Sequence, residues 1–311
     1  MSGKAVMPET VLDVGREALA SAYTTKQPAA VTRFSDRSIG ALLVDAGKLK
    51  LEHAERIIRA QREHHLRFGE AAVKLGLVSP ADIETALSRQ FEYPYLRQTD
   101  PSLTPELVAA FQPFSPQVET LRGLRSQLML RWFDGPSKRQ ALAVVSPERG
   151  EGRSLIAANL AVVFSQLGER TLLIDADLRN PRQHFLFKLD NSAGLSTVLS
   201  GRGGAEMVRR IPSLLDLSVL PTGSLPPNPQ ELLSRPAFTQ MLSEFYSEFD
   251  IVLIDTPAGM NFADAQTVAA RAGGALMVMH RNFTRVRHAR DLAQNLSETG
   301  ATVVGTVINS F

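Results

Sequence analysis

A glycine-rich segment, SPERGEGRS from Ser146 to Ser154, lies between an apolar run and a helical stretch. Gly150 and Gly152 let backbone N–H groups turn toward an anion, and the N-terminus of the following helix adds partial positive charge. The Ser154 hydroxyl stands where such a loop meets Mg²⁺. The pattern predicts a phosphate-binding loop made of Gly150, Glu151, Gly152, Arg153, Ser154 and Leu155.

Two residues of this segment differ from the usual phosphate-binding pattern. Pro147 stands where the first glycine is usual, and Arg153 stands in place of the usual lysine. Arginine keeps the positive charge, but its planar guanidinium binds as a fork rather than as a point charge. The alternative interpretation is a glycine turn between a strand and a helix, with no nucleotide.

Three aspartates stand at the ends of apolar runs further along the chain. Asp175 and Asp177 follow the run TLLI, and Asp255 ends the run IVLID. Parallel sheets bind ligands at the carboxyl ends of their strands, where paired carboxylates could hold Mg²⁺ or activate a nucleophile. Each acid alone could be a turn residue or a helix cap. Together with the glycine-rich segment, the three favour a nucleotide-binding site.

Short apolar runs rich in β-branched residues alternate with helical stretches from residue 141 onward. The runs are 141–146, 171–175, 217–223, 250–255, 275–279 and 302–308. This alternation predicts an α/β, doubly wound fold with a mostly parallel sheet, preceded by a small helical domain. The expected divisions are a flexible N-terminal arm at 1–34, a helical tandem-repeat domain at 35–97, a linker at 98–117 and the α/β domain at 118–311.

The composition excludes several classes of function. The 311 residues contain no cysteine, so disulfides, thiolate zinc sites, iron–sulfur clusters and cysteine nucleophiles are ruled out. The net charge of +2 gives no argument for nucleic-acid binding. No apolar run approaches the ~20 residues of a membrane span, and the first residues lack a signal-peptide pattern. We expect a cytoplasmic protein with no transmembrane segment of its own and no nucleic-acid partner.

An internal repeat occupies residues 38–90. Two 24-residue copies, 38–61 and 67–90, are separated by the five-residue spacer REHHL. Each copy predicts a short helix, a glycine turn and a longer helix, and Ser79-Pro80 marks a helix start in the second copy. Each has Gly at its third and tenth positions and Gln at its last, namely Gly40, Gly47 and Gln61, then Gly69, Gly76 and Gln90.

Residues 118–311 resemble the bacterial tyrosine kinases (BY-kinases) of exopolysaccharide synthesis, which are MinD/ParA-like P-loop ATPases. SPERGEGRSLIAANLA is similar to their Walker A motif, LLIDADLRNP to their Walker A′ motif and VLIDTP to their Walker B motif. GLSTVLSG and PTGSLPPNPQELLSRP also match, and these two separate the family from MinD and ParA. The resemblance extends to the EpsG-like, chain-length-determinant subgroup of the family.

The resemblance implies ATP and Mg²⁺ as cofactors and phosphoryl transfer to tyrosine. Ser154 and Asp177 would help to hold Mg²⁺, with Asp255 contacting it through water. Asp175 or Asp177 would assist the attacking tyrosine hydroxyl, and Arg153 would take the place of the phosphate-binding lysine. Such a transfer depends on positioning and charge stabilisation more than on covalent chemistry.

The resemblance also implies assembly with other chains. Glu119, Arg122 and Arg125 have the ExxRxxR spacing of the ring-forming subunit contacts in the family, so a homo-oligomer is expected. Without the other motifs, the same spacing is typical of a surface helix with i,i+3 ion pairs. A chain-length-determinant (Wzz-like) inner-membrane protein is the expected partner, and a peripheral place at the membrane would come through it.

The sequence departs from the family at the phosphate acceptor. The family ends in a tyrosine-rich tail, whereas this chain ends VVGTVINSF. Its four tyrosines are Tyr23, Tyr93, Tyr95 and Tyr246, and Ala258 stands where the family often has a second proline. The alternative function is a catalytically weak or inactive nucleotide-binding partner that assembles on the chain-length determinant. The PPNPQELL segment disfavours a ParA-like positioning ATPase.

The repeat resembles the MshE N-terminal domain of type II secretion and pilus ATPases, which binds cyclic di-GMP through two motifs of this length and spacing. Arginine in such a motif stacks on or pairs with guanine and phosphate. The first copy has Ser38 where the second has Arg67, and Lys48 at a position expected to be apolar. The alternative is a helical adaptor that keeps the fold without the ligand. The implied cyclic di-GMP site comprises Gly40, Gly47, Gln61, Arg67, Gly69, Gly76 and Gln90.

Overall fold

The computed structural model describes residues 38–90, Leu96, 99–135 and 139–310. The chain divides into two compact units, Met1–Glu92 and Tyr93–Phe311. The N-terminal arm expected at 1–34 lies outside the described residues. None of the helices in the described ranges is long and apolar enough to cross a membrane.

Four helices form the described part of the first unit. They are α1 (Ile39–Asp45), α2 (Leu51–His64), α3 (Phe68–Lys74) and α4 (Pro80–Gln90). Each sequence copy forms a short helix followed by a longer one, as predicted. A glycine with positive φ turns the chain between the two helices, Gly47 (67°) in the first copy and Gly76 (66°) in the second. Their small apolar core includes Leu42, Leu43, Ile57, Ala71, Ala72 and Ala86.

Close packing accounts for the other two repeated glycines. A Cβ on Gly40 would lie 3.0 Å from the Phe68 ring, and a Cβ on Gly69 would lie 2.9 Å from the Ile83 side chain. Both contacts are tighter than packed side chains tolerate without a shift. The four repeated glycines therefore specify the fold of this unit, whether or not it binds a ligand.

Among the described residues, seven strands form one sheet in the second unit. They are β1 (Ala141–Val145), β2 (Thr171–Asp175), β3 (Arg209–Arg210), β4 (Leu217–Leu220), β5 (Ile251–Asp255), β6 (Gly274–His280) and β7 (Thr302–Asn309). Their order is β3-β4-β2-β5-β1-β6-β7, and all neighbours are parallel except β3 with β4. The predicted α/β, doubly wound sheet is confirmed, with an antiparallel edge strand that the sequence did not predict.

Helices cover both faces of this sheet, as β1 shows. Leu142 and Val144 pack in one apolar core together with α7, and the neighbouring alanines of β1 pack in the other core with α11, α12 and α13. Because both faces are buried, the strand sequence is continuously apolar rather than alternating. The helices are α5 (Val108–Phe111), α6 (Pro116–Leu128), α7 (Arg153–Ser165), α8 (Gln183–Leu186), α9 (Leu195–Leu199), α10 (Pro229–Ser234), α11 (Pro236–Glu248), α12 (Asp264–Ala272) and α13 (Val286–Glu298), with a π-helical turn at Met129–Phe133 and a 3₁₀ turn at Ala205–Met207.

Of the segment 98–117, expected to be a linker, the described residues 99–117 instead pack into the core of the second unit. Its side chains at Leu103 and Leu107 are buried with α5 in the same apolar core as α7. The Ala109 N–H donates to Asn159 Oδ1 at 2.9 Å, and its carbonyl accepts from Gln166 Nε2 at 2.9 Å. Its prolines suggest a linker, but burial of its leucine side chains in the core is favourable, and an extended linker would leave them in water.

The helix predicted at 118–133 is present as α6 and the π-helical turn, and this turn carries a buried tryptophan. Trp132 Nε1 donates to the Ala141 carbonyl at 2.9 Å, which fixes the indole against β1. A Cβ on Gly274, the first residue of β6, would lie 2.3 Å from the Trp132 ring. The absence of a side chain at Gly274 therefore leaves the space that the Trp132 ring occupies.

Substitution of two glycines tests this packing. Gly274→Ala should lower the free energy of unfolding by about 1–3 kcal/mol, because the new methyl overlaps a fixed ring. Gly123→Ala, in α6 with open space within 4 Å of the added methyl, should raise it by about 0.5–1 kcal/mol through helix propensity. Urea unfolding of the two variants measures both effects. Equal stabilities for the two variants would contradict the packing described for Trp132.

Candidate functional site

Three polar segments meet at the carboxyl edge of the sheet. β5 lies between β1 and β2, and the register places Asp255 beside Asp175 of β2 and Val144 of β1. The glycine-rich loop after β1 leads into α7, whose first residue is Arg153. The topology therefore brings together the three segments that the sequence selects, at the edge where parallel sheets bind ligands.

The glycine-rich loop turns the chain into the N-terminus of α7. Gly150 and Gly152 have φ angles of 84° and 86°, a conformation that costs glycine nothing and other residues a strain. The loop is fixed to the segment after β5, because the Gly259 N–H donates to the Ser146 carbonyl at 2.8 Å. First-turn N–H groups of a helix have no acceptor within the helix, so they favour an anion here.

A cleft of about 400 Å³ lies over this loop. Asp177 and all six residues that the sequence predicts to bind a cofactor line it, whereas Asp175 and Asp255 are fully buried and do not. The volume is in the range of small-molecule sites. The lining consists of Arg149, Gly150, Glu151, Gly152, Arg153, Ser154, Leu155, Asp177, Asn180, Arg182, Pro257, Ala258, Asn261 and Phe262.

The side chain of Arg153 joins three elements of the site. Its Nε donates to Asp255 Oδ1 at 3.2 Å and its Nη2 to Asp177 Oδ2 at 3.1 Å. Its Nη1 donates to Ser146 Oγ at 2.8 Å. Arg153 is 7% exposed, so these bonds form largely out of water, where charge-assisted hydrogen bonds are strong. We call this set of contacts the arginine bridge.

The remaining oxygens of the two bridged carboxylates also have donors. Asp177 Oδ1 accepts from the N–H groups of Arg179 at 3.2 Å and Asn180 at 2.8 Å. Asp255 Oδ2 accepts from Gln183 Nε2 at 2.8 Å. Each of the four carboxylate oxygens is thus already hydrogen-bonded within the protein.

Asp175 accepts hydrogen bonds from three backbone N–H groups. Its Oδ1 accepts from the Asp177 N–H at 3.2 Å, and its Oδ2 accepts from the N–H groups of Arg182 at 3.0 Å and Gln183 at 2.9 Å. It is fully buried and holds the chain after β2 in a tight turn. Of the two aspartates considered for contact with a hydroxyl, Asp177 faces the cleft and Asp175 supports it.

Burial controls the acidity of this group of carboxyls. Burial, with the charges of Asp255 and Asp177, raises the pKa of Asp175 to about 8, although backbone N–H groups act in the opposite direction. Burial also raises the pKa of Asp255, while the charge of Arg153 and a hydrogen bond from the Ser154 side chain lower it. The cation of the bridge therefore favours the ionised form of a carboxyl that burial alone would protonate.

Three arginines line the cleft. Arg149, Arg153 and Arg182 lie there together with the N-terminus of α7, an arrangement that suits an anion. Of the three residues expected to hold Mg²⁺, Asp177 and Asp255 each accept a hydrogen bond from Arg153 at one oxygen, and Ser154 lines the cleft. Within the described ranges, no group of three His, Cys, Asp or Glu side chains is arranged to hold a metal ion.

Glu151, expected among the cofactor-binding residues, stabilises the loop through its side chain. It is 1% exposed, and its Oε2 accepts from the Glu148 N–H at 2.8 Å. Thr284, after β6, donates its hydroxyl to Glu151 Oε1, and Asn309 at the end of β7 donates to the Glu151 carbonyl at 3.1 Å. His288 of α13 contacts Glu148 at 2.6 Å. The sequence gives no signal for Thr284, His288 or Asn309, which come from distant parts of the chain.

Other residues of the site could be found only in part from the sequence. Gln183 links the site by donating to both Asp255 Oδ2 and the Ser154 carbonyl. Arg179 pairs with the buried Asp264 at 3.1 Å and stacks on Phe262, whose ring centre lies 3.7 Å away. Arg179 belongs to the Walker A′-like motif, which is a signal, whereas nothing marks Phe262.

The residues proposed for oligomerisation lie on α6. They are not among the described residues that line the cleft. Arg122 pairs with Glu119 at 3.1 Å, as expected for a surface helix. Arg125 Nη1 donates to the Val163 carbonyl at 2.8 Å, so it anchors α6 to α7 within the chain. Tyr246 is partly buried on α11, and burial raises its pKa. Tyr23, Tyr93 and Tyr95 lie outside the described residues.

In the first unit, the proposed cyclic di-GMP residues occupy equivalent positions of the two copies. Ser38 caps α1 by accepting from the Ala41 N–H, and Arg67 takes the same place before α3 with an exposed side chain. Lys48, at a position expected to be apolar, pairs with Asp82 of the other copy at 3.2 Å. Gln61 is partly exposed, and the Gln90 side chain is outside the described set.

Removal of the arginine bridge tests its electrostatic role. Arg153→Met should lower the free energy of unfolding by about 3–5 kcal/mol near neutral pH, because two buried carboxylates lose their cation. The pKa of Asp255, which burial already raises, should rise further in the variant, so its native state takes up a proton as the pH falls. The deficit should therefore be larger at about pH 8 than at about pH 5.

Urea unfolding at several pH values measures this deficit. Arg170→Met is the matched control, since it removes the exposed ion pair between Arg170 and Asp250 and should have a smaller effect with little pH dependence. A deficit for Arg153→Met no larger than that of the control would show that the bridge does not form in solution.

Comparison with known proteins agrees with this geometry. Residues 140–305 match the family described as cellulose biosynthesis protein BcsQ. The tyrosine-protein kinase YwqD of Bacillus subtilis (strain 168) is 35% identical over 203 residues, which cover 65% of this chain and 85% of YwqD. The tyrosine-protein kinase wzc of Salmonella typhimurium is 33% identical over 206 residues, which cover 66% of this chain and 28% of wzc.

A solved structure has a similar fold. The kinase domain of the Escherichia coli tyrosine kinase ETK has a TM-score of 0.64 and 27% identity, covering 71% of this chain and 85% of that domain. The chain spans less than a third of the length of the longer relatives that it matches. The sheet order, the glycine-rich loop and these similarities show that the chain belongs to the BcsQ/MinD-like P-loop family, and the relatives named above are bacterial tyrosine-protein kinases.

Proposed function

We propose that the chain binds ATP in the cleft over the glycine-rich loop. The observation that carries this proposal is the lining of the cleft at the N-terminus of α7, which includes Arg149, Arg153 and Arg182, the last also paired with Glu106. The triphosphate would take hydrogen bonds from first-turn N–H groups and charge from these arginines. Membership of a P-loop family supports the same assignment.

The finer proposal concerns phosphoryl transfer to a tyrosine hydroxyl. Asp177 is the aspartate that lines the cleft, so it would accept a hydrogen bond from the attacking hydroxyl. Arg153 competes with the hydroxyl for this carboxylate, since its Nη2 already donates to Asp177 Oδ2 at 3.1 Å. This contact favours the alternative function of a nucleotide-binding assembly partner with weak or no kinase activity.

The proposed setting is exopolysaccharide chain-length control, with a Wzz-like inner-membrane protein as partner and a homo-oligomer as the assembly. The support is the resemblance to the BY-kinases and the kinase names of the relatives. Glu119 offers an exposed carboxylate for a neighbouring subunit, while Arg125 is engaged within the chain. Light scattering of the purified chain, with and without ATP, tests the oligomer.

Titration of the purified chain with ATP tests the first proposal. Arg149→Ala should weaken binding by roughly tenfold, about 1.4 kcal/mol, because it removes an exposed cation from the cleft. Arg202→Ala, which removes an exposed arginine outside the lining, is the control and should bind as the wild type does. Absence of ATP binding by the wild type would contradict the proposal.

A phosphotyrosine blot of the ATP-bound protein separates the two alternatives. The expected result is ATP binding with no phosphotyrosine on this chain, which supports the assembly partner. Phosphotyrosine that disappears in Asp177→Asn, and persists in the exposed control Asp216→Asn, would instead establish a kinase. The blot needs a candidate substrate as well, since the partner could carry the acceptor tyrosine.

We also propose that the first unit binds cyclic di-GMP. The observation that favours it is the equivalence of the two copies, whose glycine turns at Gly47 and Gly76 have φ angles within a degree of each other. Arg67 is exposed at the start of α3 and could pair with guanine or phosphate. The pairing of Lys48 with Asp82 and the close packing of Gly40 and Gly69 support the alternative, a helical adaptor without the ligand.

Titration of the full chain with cyclic di-GMP distinguishes these alternatives. If the ligand binds, Arg67→Ala should weaken it by roughly tenfold or more, whereas Arg62→Ala, in the spacer, should leave it unchanged. No binding by the wild type would establish the adaptor. Equal losses in both variants would show a general charge effect rather than a site.

A further inference from the structure

We infer that Arg153 is the resident cation of the nucleotide site, so that this chain binds nucleotide phosphates without a divalent metal ion. The inference rests on the ATP binding proposed above and goes beyond it, since the P-loop pattern leads one to expect Mg²⁺ at this position. The arginine bridge carries it.

The Arg153 guanidinium lies between the carboxylates of Asp177 and Asp255. Its three nitrogens reach Asp255 Oδ1, Asp177 Oδ2 and Ser146 Oγ at 3.2, 3.1 and 2.8 Å. The Asp177 and Asp255 side chains are 5% and 0% exposed, so water supplies little competing solvation. The arginine bridge therefore connects the first residue of α7 with the ends of β2 and β5.

A magnesium ion would have to displace this bridge. Mg²⁺ demands near-octahedral oxygen ligands at about 2.0–2.1 Å, far shorter than a hydrogen bond. The other oxygens of Asp177 and Asp255 already accept from Asn180 N–H and Gln183 Nε2, each at 2.8 Å. A metal ion at Asp177 and Asp255 would also face the positive charge of Arg153 at close range. Arg153 thus already compensates the negative charge of Asp177 and Asp255 without a metal ion.

Arg153 keeps donors for a ligand while it holds the bridge. A guanidinium carries five N–H donors, and the three contacts use one on each nitrogen. The residue also lines the cleft beside Gly152 and Ser154, which leaves the two remaining N–H groups for phosphate oxygens. Because arginine stays charged at any physiological pH, this cation is permanent.

Lysine at this position would behave differently. Its single ammonium nitrogen is a point charge and cannot bridge three acceptors in the fixed geometry of the guanidinium fork. Arg153→Lys therefore keeps the charge and frees carboxylate oxygens for a metal ion. This variant should gain the metal dependence that the wild type lacks.

ATP titration of the full chain, in buffer with Mg²⁺ and in buffer with EDTA, tests the inference. The wild-type Kd should differ by less than about twofold between the two buffers. Arg153→Lys should bind at least about tenfold more weakly in EDTA than in Mg²⁺, a difference of about 1.4 kcal/mol. Thermal unfolding of each protein confirms that the variant is folded.

Titration of both proteins with Mg²⁺ alone gives a second readout that needs no nucleotide. The expected result is no binding by the wild type and binding by Arg153→Lys. Wild-type ATP binding that requires Mg²⁺, or Mg²⁺ binding by the wild type alone, would overturn this inference and leave the proposed ATP site intact. Absence of ATP binding in both buffers would overturn the proposed function and the inference with it.

Discussion

The buried pairing of Arg153 with Asp177 and Asp255 is the interaction on which the rest of the site depends. The sheet register brings carboxylates together at its carboxyl edge, where burial penalises their charge. Two buried carboxylates without a cation would repel each other, whereas a guanidinium between them donates hydrogen bonds to both. Because the arginine starts α7, the same contact fixes the helix N-terminus and the glycine-rich loop against two strand ends.

The loop is held from its other side as well, so contacts within the protein fix its position. Glu151 connects it to the segment after β6 and to the end of β7, and Glu148 connects it to α13 through His288. A preformed anion site lowers the cost of ordering on binding. In the proposed phosphoryl transfer, Asp177 would have to loosen its contact with Arg153 before it could take a proton from a hydroxyl.

Much of this arrangement follows from sequence pattern, and the rest depends on contacts that a pattern does not contain. The strand runs and the placing of Asp175, Asp177 and Asp255 were predictable, since apolar runs end at the sheet edge in a parallel fold. The direction of the Arg153 side chain was not, because residue type does not fix which neighbours a long side chain meets. The proline-rich segment 98–117 looked like a linker, yet its leucines complete the core. Glu151 looked like a ligand residue because of its position alone, and two of its partners, Thr284 and Asn309, are more than 100 residues away.

The arginine bridge is open to direct observation in solution. NMR of the nucleotide-free protein labelled at arginine can follow the Arg153 Nε–H, assigned by its loss in Arg153→Lys. We expect a resolved resonance that exchanges slowly with water, because the proton is donated to a buried carboxylate of Asp255. An Arg153 Nε–H that exchanges as fast as the Nε–H groups of exposed arginines would show that the guanidinium is free in the cleft, and would contradict the arginine bridge.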